Sequence, residues 1–135
     1  MTSSTALLDL GSEDFVSLTT FRKTGERVST PVWIARDGDA LLVTTPEGTG
    51  KLKRLRNNPT VELQPSSRMG KTKDSDPIVT GIATMAPEAP RETELFREKY
   101  GLQYRIFMFI ERRMNSRAGA TGQKPRVILR ITSPE

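Results

Sequence analysis

The apolar residues of this chain come in short runs cut by turn residues, and that spacing limits what it can fold into more than any other feature. The longest purely apolar run is the five residues from Ile106 to Ile110, far short of the ~20 needed to cross a membrane as a helix. Most other runs are strand-length. Residues 15–21, 27–35, 40–45, 60–64, 78–85 and 126–132 are rich in β-branched and aromatic side chains, a composition that suits pleated, half-buried surfaces. Six short antiparallel strands with a few small helices predict a mainly β chain folded as a closed or split β-barrel.

Between the strands the punctuation is explicit. Lys23-Thr24-Gly25-Glu26 and Arg36-Asp37-Gly38-Asp39 read as hairpin turns, with glycine free to take positive φ. They predict a three-stranded meander over residues 15–45. Pro31 falls inside the second strand; lacking an N–H, it requires a sheet edge or a bulge there. Residues 65–77, with Gly70, Arg68, Lys71 and Lys73, read as a mobile loop. Residues 89–100 follow a helical pattern with Pro90 in the first turn and Gly101 as the stop. Residues 103–113 read as a second helix or turn, 114–124 as a loop, and 126–132 as a closing strand with Val127, Leu129 and Ile131 on one face.

At 135 residues the chain is expected to form one domain, residues 1–135, burying roughly two thirds of its unfolded surface. A hydrophobic fraction of 35% makes a thin core, which would gain from burying a further face against a second copy. The chain has no cysteine and no histidine. That removes disulfides, thiol nucleophiles, imidazole bases and nearly every ordinary transition-metal site; Asp74 and Asp76 alone fall far short of a calcium shell. With no signal-peptide h-region at the start, the expectation is a soluble, cytoplasmic protein.

Net charge is +5, from 21 Lys and Arg against 16 Asp and Glu. From Lys51 to Lys73 there are seven basic residues and one acid, Glu62, a field that attracts phosphates, polycarboxylates or nucleic acid. A nucleic-acid barrel usually offers several stacking aromatics, and only 6% of this chain is aromatic, so nucleic acid is not the expected partner. Within the basic stretch, residues 49–59 read as a short helix: Thr49 can cap it, Leu52 and Leu55 share a face, and Pro59 stops it. Lys51 in its first turn opposes the helix dipole, at a cost on the order of 0.3–1 kcal/mol that a bound anion would reverse. Lys51, Lys53 and Arg54 therefore read either as a phosphate cradle or as a solvated helix face. Trp33 likewise reads as a core or interface aromatic or as a ring contact.

Taken in order, Phe15-Val16-Ser17-Leu18-Thr19-Thr20-Phe21-Arg22, Ser29-Thr30-Pro31-Val32-Trp33, Gly50-Lys51-Leu52-Lys53-Arg54-Leu55-Arg56-Asn57-Asn58-Pro59, Lys99-Tyr100-Gly101, Tyr104-Arg105 and Arg126-Val127-Ile128-Leu129-Arg130-Ile131 resemble the split β-barrel flavin and deazaflavin proteins related to pyridoxamine 5′-phosphate oxidase. Within them the chain is similar to the short enzymes that use coenzyme F420. The resemblance spans nearly the whole chain. It implies a six-stranded split barrel, a homodimer with the cofactor between subunits, and an F420-dependent oxidoreductase acting on a small molecule. FMN, or F420 carriage without turnover, are its alternatives. The residues it implies at the cofactor are Ser29, Thr30, Pro31, Val32 and Trp33 beside the ring, Thr49, Lys51, Lys53 and Arg54 at the phosphate, and also Thr44, Thr45 and Gly50. It implies no catalytic side chain, because a dihydro-deazaflavin donates hydride from its own carbon. Residues 65–76 depart from the family's pattern in being longer, Ser-rich and basic.

Overall fold

The computed structural model describes residues 2–117 and 126–134. The chain runs α1 (Thr2–Asp9), a single 3-10 turn (Leu10–Ser12), β1 (Val16–Phe21), β2 (Arg27–Val32), β3 (Ile34–Asp37), β4 (Ala40–Pro46), α2 (Gly50–Asn57), β5 (Thr60–Pro65), β6 (Val79–Pro87), α3 (Pro90–Tyr100), α4 (Leu102–Arg117) and β7 (Arg126–Thr132). All seven strands belong to one antiparallel sheet, in the order β2-β1-β5-β6-β7-β4-β3.

That order corrects two expectations. The strand expected over residues 27–35 breaks at Trp33 into β2 and β3, which gives seven strands rather than six. The expected meander is also absent: β2 pairs with β1 and β3 with β4, so the two halves of one chain segment lie at opposite edges of the sheet. Only Trp33 separates those edges along the chain. The sheet must therefore coil until its edges meet, and it does so without closing the hydrogen-bond ladder, as a split barrel. Pro31 sits on an edge strand, where its missing N–H costs no ladder bond.

Long-range contacts force the break. The Trp33 indole stacks on Tyr100 at 4.6 Å and 13° and leans on Tyr104 at 5.8 Å. The next residue is held by the same helix: the Tyr100 hydroxyl accepts from the Ile34 N–H at 2.9 Å and donates to the Asp14 carbonyl at 2.8 Å, with the Ile34 carbonyl 3.0 Å away. Burial pushes the Tyr100 pKa up to about 12, so it stays a neutral phenol. Lys99 adds three carbonyl contacts from its ammonium, to Gly11 at 2.9 Å, Glu13 at 2.5 Å and Ile34 at 2.6 Å.

Strand alternation sorts side chains into two cores. Val16, Leu18, Ile34, Leu41, Val43, Val61, Leu63, Leu129 and Ile131 point into the barrel with Leu7 of α1 and Leu52 and Leu55 of α2. On the outer face, Ala35, Leu42 and Ile128 pack under Phe96, Tyr100, Tyr104 and Met108 of α3 and α4. Gly81 is needed for the first: a Cβ there would lie 2.7 Å from Ile131 Cγ2 and 3.2 Å from the Thr132 carbonyl.

The segment expected to be a mobile loop is tied down. Ser66 N–H donates to the Phe15 carbonyl at 3.1 Å, Ser67 Oγ accepts from Met69 and Lys71 N–H at 3.2 and 3.1 Å, and Gln64 Nε2 donates to the Lys73 and Asp76 carbonyls at 2.9 Å each. The loop expected at 114–124 gives way to α4 as far as Arg117; residues 118–124 lie outside the described residues. Among the described residues no helix is long and apolar enough to cross a membrane.

Tyr100→Phe keeps the ring stack but strands the buried Ile34 N–H. It should lower unfolding free energy by about 1–3 kcal/mol, measured by urea denaturation; an unchanged midpoint would mean that the hydroxyl does not hold the strand break.

Candidate functional site

Two places on the β1–β2 hairpin and its neighbours have the character of a ligand site. The first is where α2 meets the barrel. Val16 and Leu18 point inward along β1 and so does Thr20, which is fully buried. Thr45 at the end of β4 is 2% exposed, with its hydroxyl 3.5 Å from that of Thr49. These hydroxyls surround the start of α2. Thr49 stands at the N-cap with extended backbone but makes no side-chain cap bond, contrary to the cap read from sequence; its hydroxyl faces Thr45 instead.

Arg54 folds back over this corner and donates from Nε to Thr20 Oγ1 at 2.6 Å. It can do so because residue 50 is glycine: a Cβ there would meet Arg54 Nη1 at 2.8 Å. Lys51 is half-buried beside it. Burial, and then the neighbouring Arg54, lower the Lys51 pKa; burial, and then Arg22, lower that of Arg54. Among the described residues neither Lys51 nor Arg54 has a carboxylate partner. Partly desolvated like charges without an anion are costly, and three hydroxyls with an open helix start make the corner suited to one. Lys53, on the same helix, is exposed.

The second place is a groove of about 540 Å³ at the other end of the hairpin, lined by Pro31, Val32, Trp33, Phe15, Arg68, Gln103, Ile106 and Ile110. Ser29 faces away from the barrel core and its hydroxyl shares a 2.6 Å hydrogen bond with Thr19. Thr30 faces Leu18 across the strand pair, and its buried hydroxyl has no partner.

The residues named from sequence thus divide. Thr45, Thr49, Gly50, Lys51 and Arg54 come together at α2, while Pro31, Val32 and Trp33 line the groove. Thr44 joins neither: as Thr45's neighbour on a strand it points the opposite way, donating to Glu88 Oε1 at 2.5 Å and accepting from Arg126 Nε at 2.8 Å. Thr20 and the groove residues Phe15, Gln103, Ile106 and Ile110 were not singled out from sequence. Thr20 left a signal, a polar residue in the inward phase of a strand that otherwise reads Val16 and Leu18; the groove residues left none, since they meet only in the folded chain.

No family model and no curated protein matches the sequence. Solved structures do match. A FAD-binding protein from Mesorhizobium loti aligns with a TM-score of 0.61 and 18% identity, covering 99% of this chain and 89% of its own. A pyridoxamine 5′-phosphate oxidase-like protein from Listeria innocua aligns at 0.57 and 17%, covering 100% and 95%. An F420 reductase aligns at 0.54 and 18%, covering 94% and 92%. Neighbours at similar scores also include a heme storage protein from Vibrio cholerae and a heme-binding protein from Mycobacterium smegmatis. At these identities the likeness establishes the architecture alone: this chain has the pyridoxamine 5′-phosphate oxidase-like split-barrel fold, a fold found in proteins named for several different cofactors.

Proposed function

We propose that this chain is an F420-dependent oxidoreductase that binds the deazaflavin through its phosphate at α2 and passes hydride to a small molecule. The observation that carries the reading is the half-buried pair Lys51 and Arg54, without a carboxylate partner, over the start of α2 among the hydroxyls of Thr20, Thr45 and Thr49. Similar folds in an F420 reductase and a FAD-binding protein support a cofactor of this class. The unpartnered Thr30 hydroxyl, on the edge strand that leads to the groove, offers a further polar contact.

On this reading Lys51 and Arg54 supply charge-assisted bonds to phosphate oxygens, and the Thr45 and Thr49 hydroxyls orient the same group. Lys53, exposed on α2, contributes to the phosphate only through solvent, a weak contact. Pro31, Val32 and Trp33 form an apolar wall that excludes water from the ring. The bound deazaflavin supplies hydride transfer from its own ring carbon, which suits a chain without His or Cys. Tyr100 supplies no proton, because its hydroxyl is committed to backbone groups of Asp14 and Ile34. The remaining task of the side chains is to bind and orient, and orientation by itself can lower a barrier by several kcal/mol.

We also place the site in a homodimer. Leu102 and Phe109 leave apolar surface along α4, each more than half exposed, and a second copy would cover it. Light scattering at micromolar concentration should give twice the chain mass, and Phe109→Asp the monomer; a monomeric parent protein would rule the pairing out.

Titration of the apo protein with F420 and with FMN, each followed by its own fluorescence, tests the cofactor. F420 should bind at micromolar concentration or tighter with FMN much weaker. Preference for FMN would move the protein to flavin chemistry, and binding of neither would remove the proposed function. Lys51→Ala should weaken F420 binding by about 1–3 kcal/mol with the circular dichroism spectrum unchanged; unaltered binding would mean the phosphate lies elsewhere. Gly50→Ala should also fold, but its methyl displaces Arg54 from Thr20. Pyrophosphate should then raise Tm less than in the parent, whereas an equal rise would show that Arg54 does not take part.

A further inference from the structure

Among the described residues the groove beside Trp33 has one charged lining residue. Arg68 projects from the tip of the loop after β5, with its guanidinium carbon 5.9 Å from the centre of the Phe15 ring. Among the described residues it makes no ion pair. The loop tip is fixed rather than loose: the Ser67 hydroxyl gathers two backbone N–H groups and Gly70, at φ 88°, lies against Pro31, where a Cβ would sit 3.4 Å from Pro31 Cδ. Arg68 is therefore presented at one end of a slot whose other walls are Phe15, Trp33, Ile106 and Ile110, with the Gln103 amide beside them. Among the described residues no Asp or Glu lines it.

We infer that this groove is the substrate pocket and takes a planar, conjugated carboxylate, its flat body against Trp33 and the two isoleucines and its anionic end on Arg68. Charge complementarity argues for the anion: among the described residues Arg68 is the one charge on a largely apolar slot, and a carboxylate seated there can meet it through two parallel hydrogen bonds. The Phe15 face beneath the guanidinium holds its plane without neutralising it. The flat walls argue for a conjugated body, since the Trp33 plane is already fixed by its stack on Tyr100. The role as substrate pocket rests on the function proposed above; the binding itself does not, and is tested without cofactor.

The chain has one tryptophan, so a nitrogen-15 spectrum carries one indole resonance as a reporter inside the groove. Titrating the apo protein with trans-cinnamate and with its neutral isostere cinnamamide should move that resonance, with cinnamate binding about tenfold more tightly. Arg68→Gln, a change at an exposed loop residue, should bring the two affinities within about twofold of each other, and Lys51→Ala should leave the cinnamate affinity as it was. Equal affinities in the parent protein, no shift with either compound, or a preference that survives Arg68→Gln would overturn the assignment. Loss of cinnamate binding in Lys51→Ala would do the same, by placing the carboxylate in the α2 cradle. Cinnamate binding in a protein that takes up neither F420 nor FMN would keep the carboxylate site and sink the cofactor reading, and the reverse result would do the opposite.

Discussion

A single segment, residues 27–37, supplies both edges of the sheet, and the pinning of its midpoint governs everything built around it. A strand that pairs on one side with β1 and then, one residue later, on the other side with β4 leaves the intervening sheet no choice but to wrap. Strand twist favours such coiling, but twist alone does not decide where the wrap ends. The decision lies with Tyr100 and Lys99, whose polar ends converge on Ile34 from outside the barrel. These bonds are buried or partly buried, so water competes with them less than at the surface. Helix α3 is thereby part of the barrel's closure, and the Phe96 and Tyr100 rings beneath it tie the outer core to the same point.

With the wrap fixed, the two ends of the β1–β2 hairpin acquire different characters. Toward Thr20 the interior turns from aliphatic to hydroxylic, and α2 closes the opening with Leu52 and Leu55 inside and Arg54 turned back onto Thr20. Toward Trp33 the surface is apolar and lies between α4 and the loop after β5. Val16 pairs with Val32 and Thr20 with Val28, so the two regions sit about four residues apart on one strand, roughly 13 Å at the usual strand rise. An extended ligand with a flat apolar part and an anionic part would match that division better than a compact one.

The strands were legible because period-two alternation is a local property, and β7 shows it cleanly, with Leu129 and Ile131 turned inward and Ile128 outward. The break at Trp33 was not, because Val32-Trp33-Ile34-Ala35 reads as unbroken strand and the groups that interrupt it lie more than sixty residues further along the chain. Helix α1 escaped notice for a related reason: TSSTALLD carries too few apolar residues for a periodic signal, and Leu7 is held by the barrel it plugs. The separation of Thr44 from Thr45 was available in principle, since adjacent strand residues face opposite ways. The family resemblance marked both positions without regard to that alternation. The order in the loop after β5 came from Ser67 and Gln64 acting as acceptor and donor to backbone groups, a local chemistry known for such residues and masked here by the basic composition.

The distribution of charge separates half-buried cations from solvated ones more sharply than their number does. Arg22, Arg27, Arg91, Arg97 and Arg130 each find a carboxylate at the surface. Asp37, hydrogen-bonded first by Arg91 and then by Arg130, is held at about pKa 2. Even the buried Arg126 has Glu88 4.0 Å away, with Thr44 and Thr93 completing the carboxylate's contacts. Against that pattern Lys51 and Arg54 stand apart, since they are withdrawn from solvent and set beside one another with hydroxyls in place of acids. An exposed lysine without a partner costs almost nothing, because water solvates it. A half-buried one next to an arginine loses part of its hydration and gains repulsion, and the lowered Lys51 pKa records both, while that of Arg54 records burial and then the repulsion of Arg22. Any phosphate ester docked at α2 would restore to this corner the pairing that carboxylates provide elsewhere, so affinity for the anion and the stability of the apo fold oppose each other at the same two side chains.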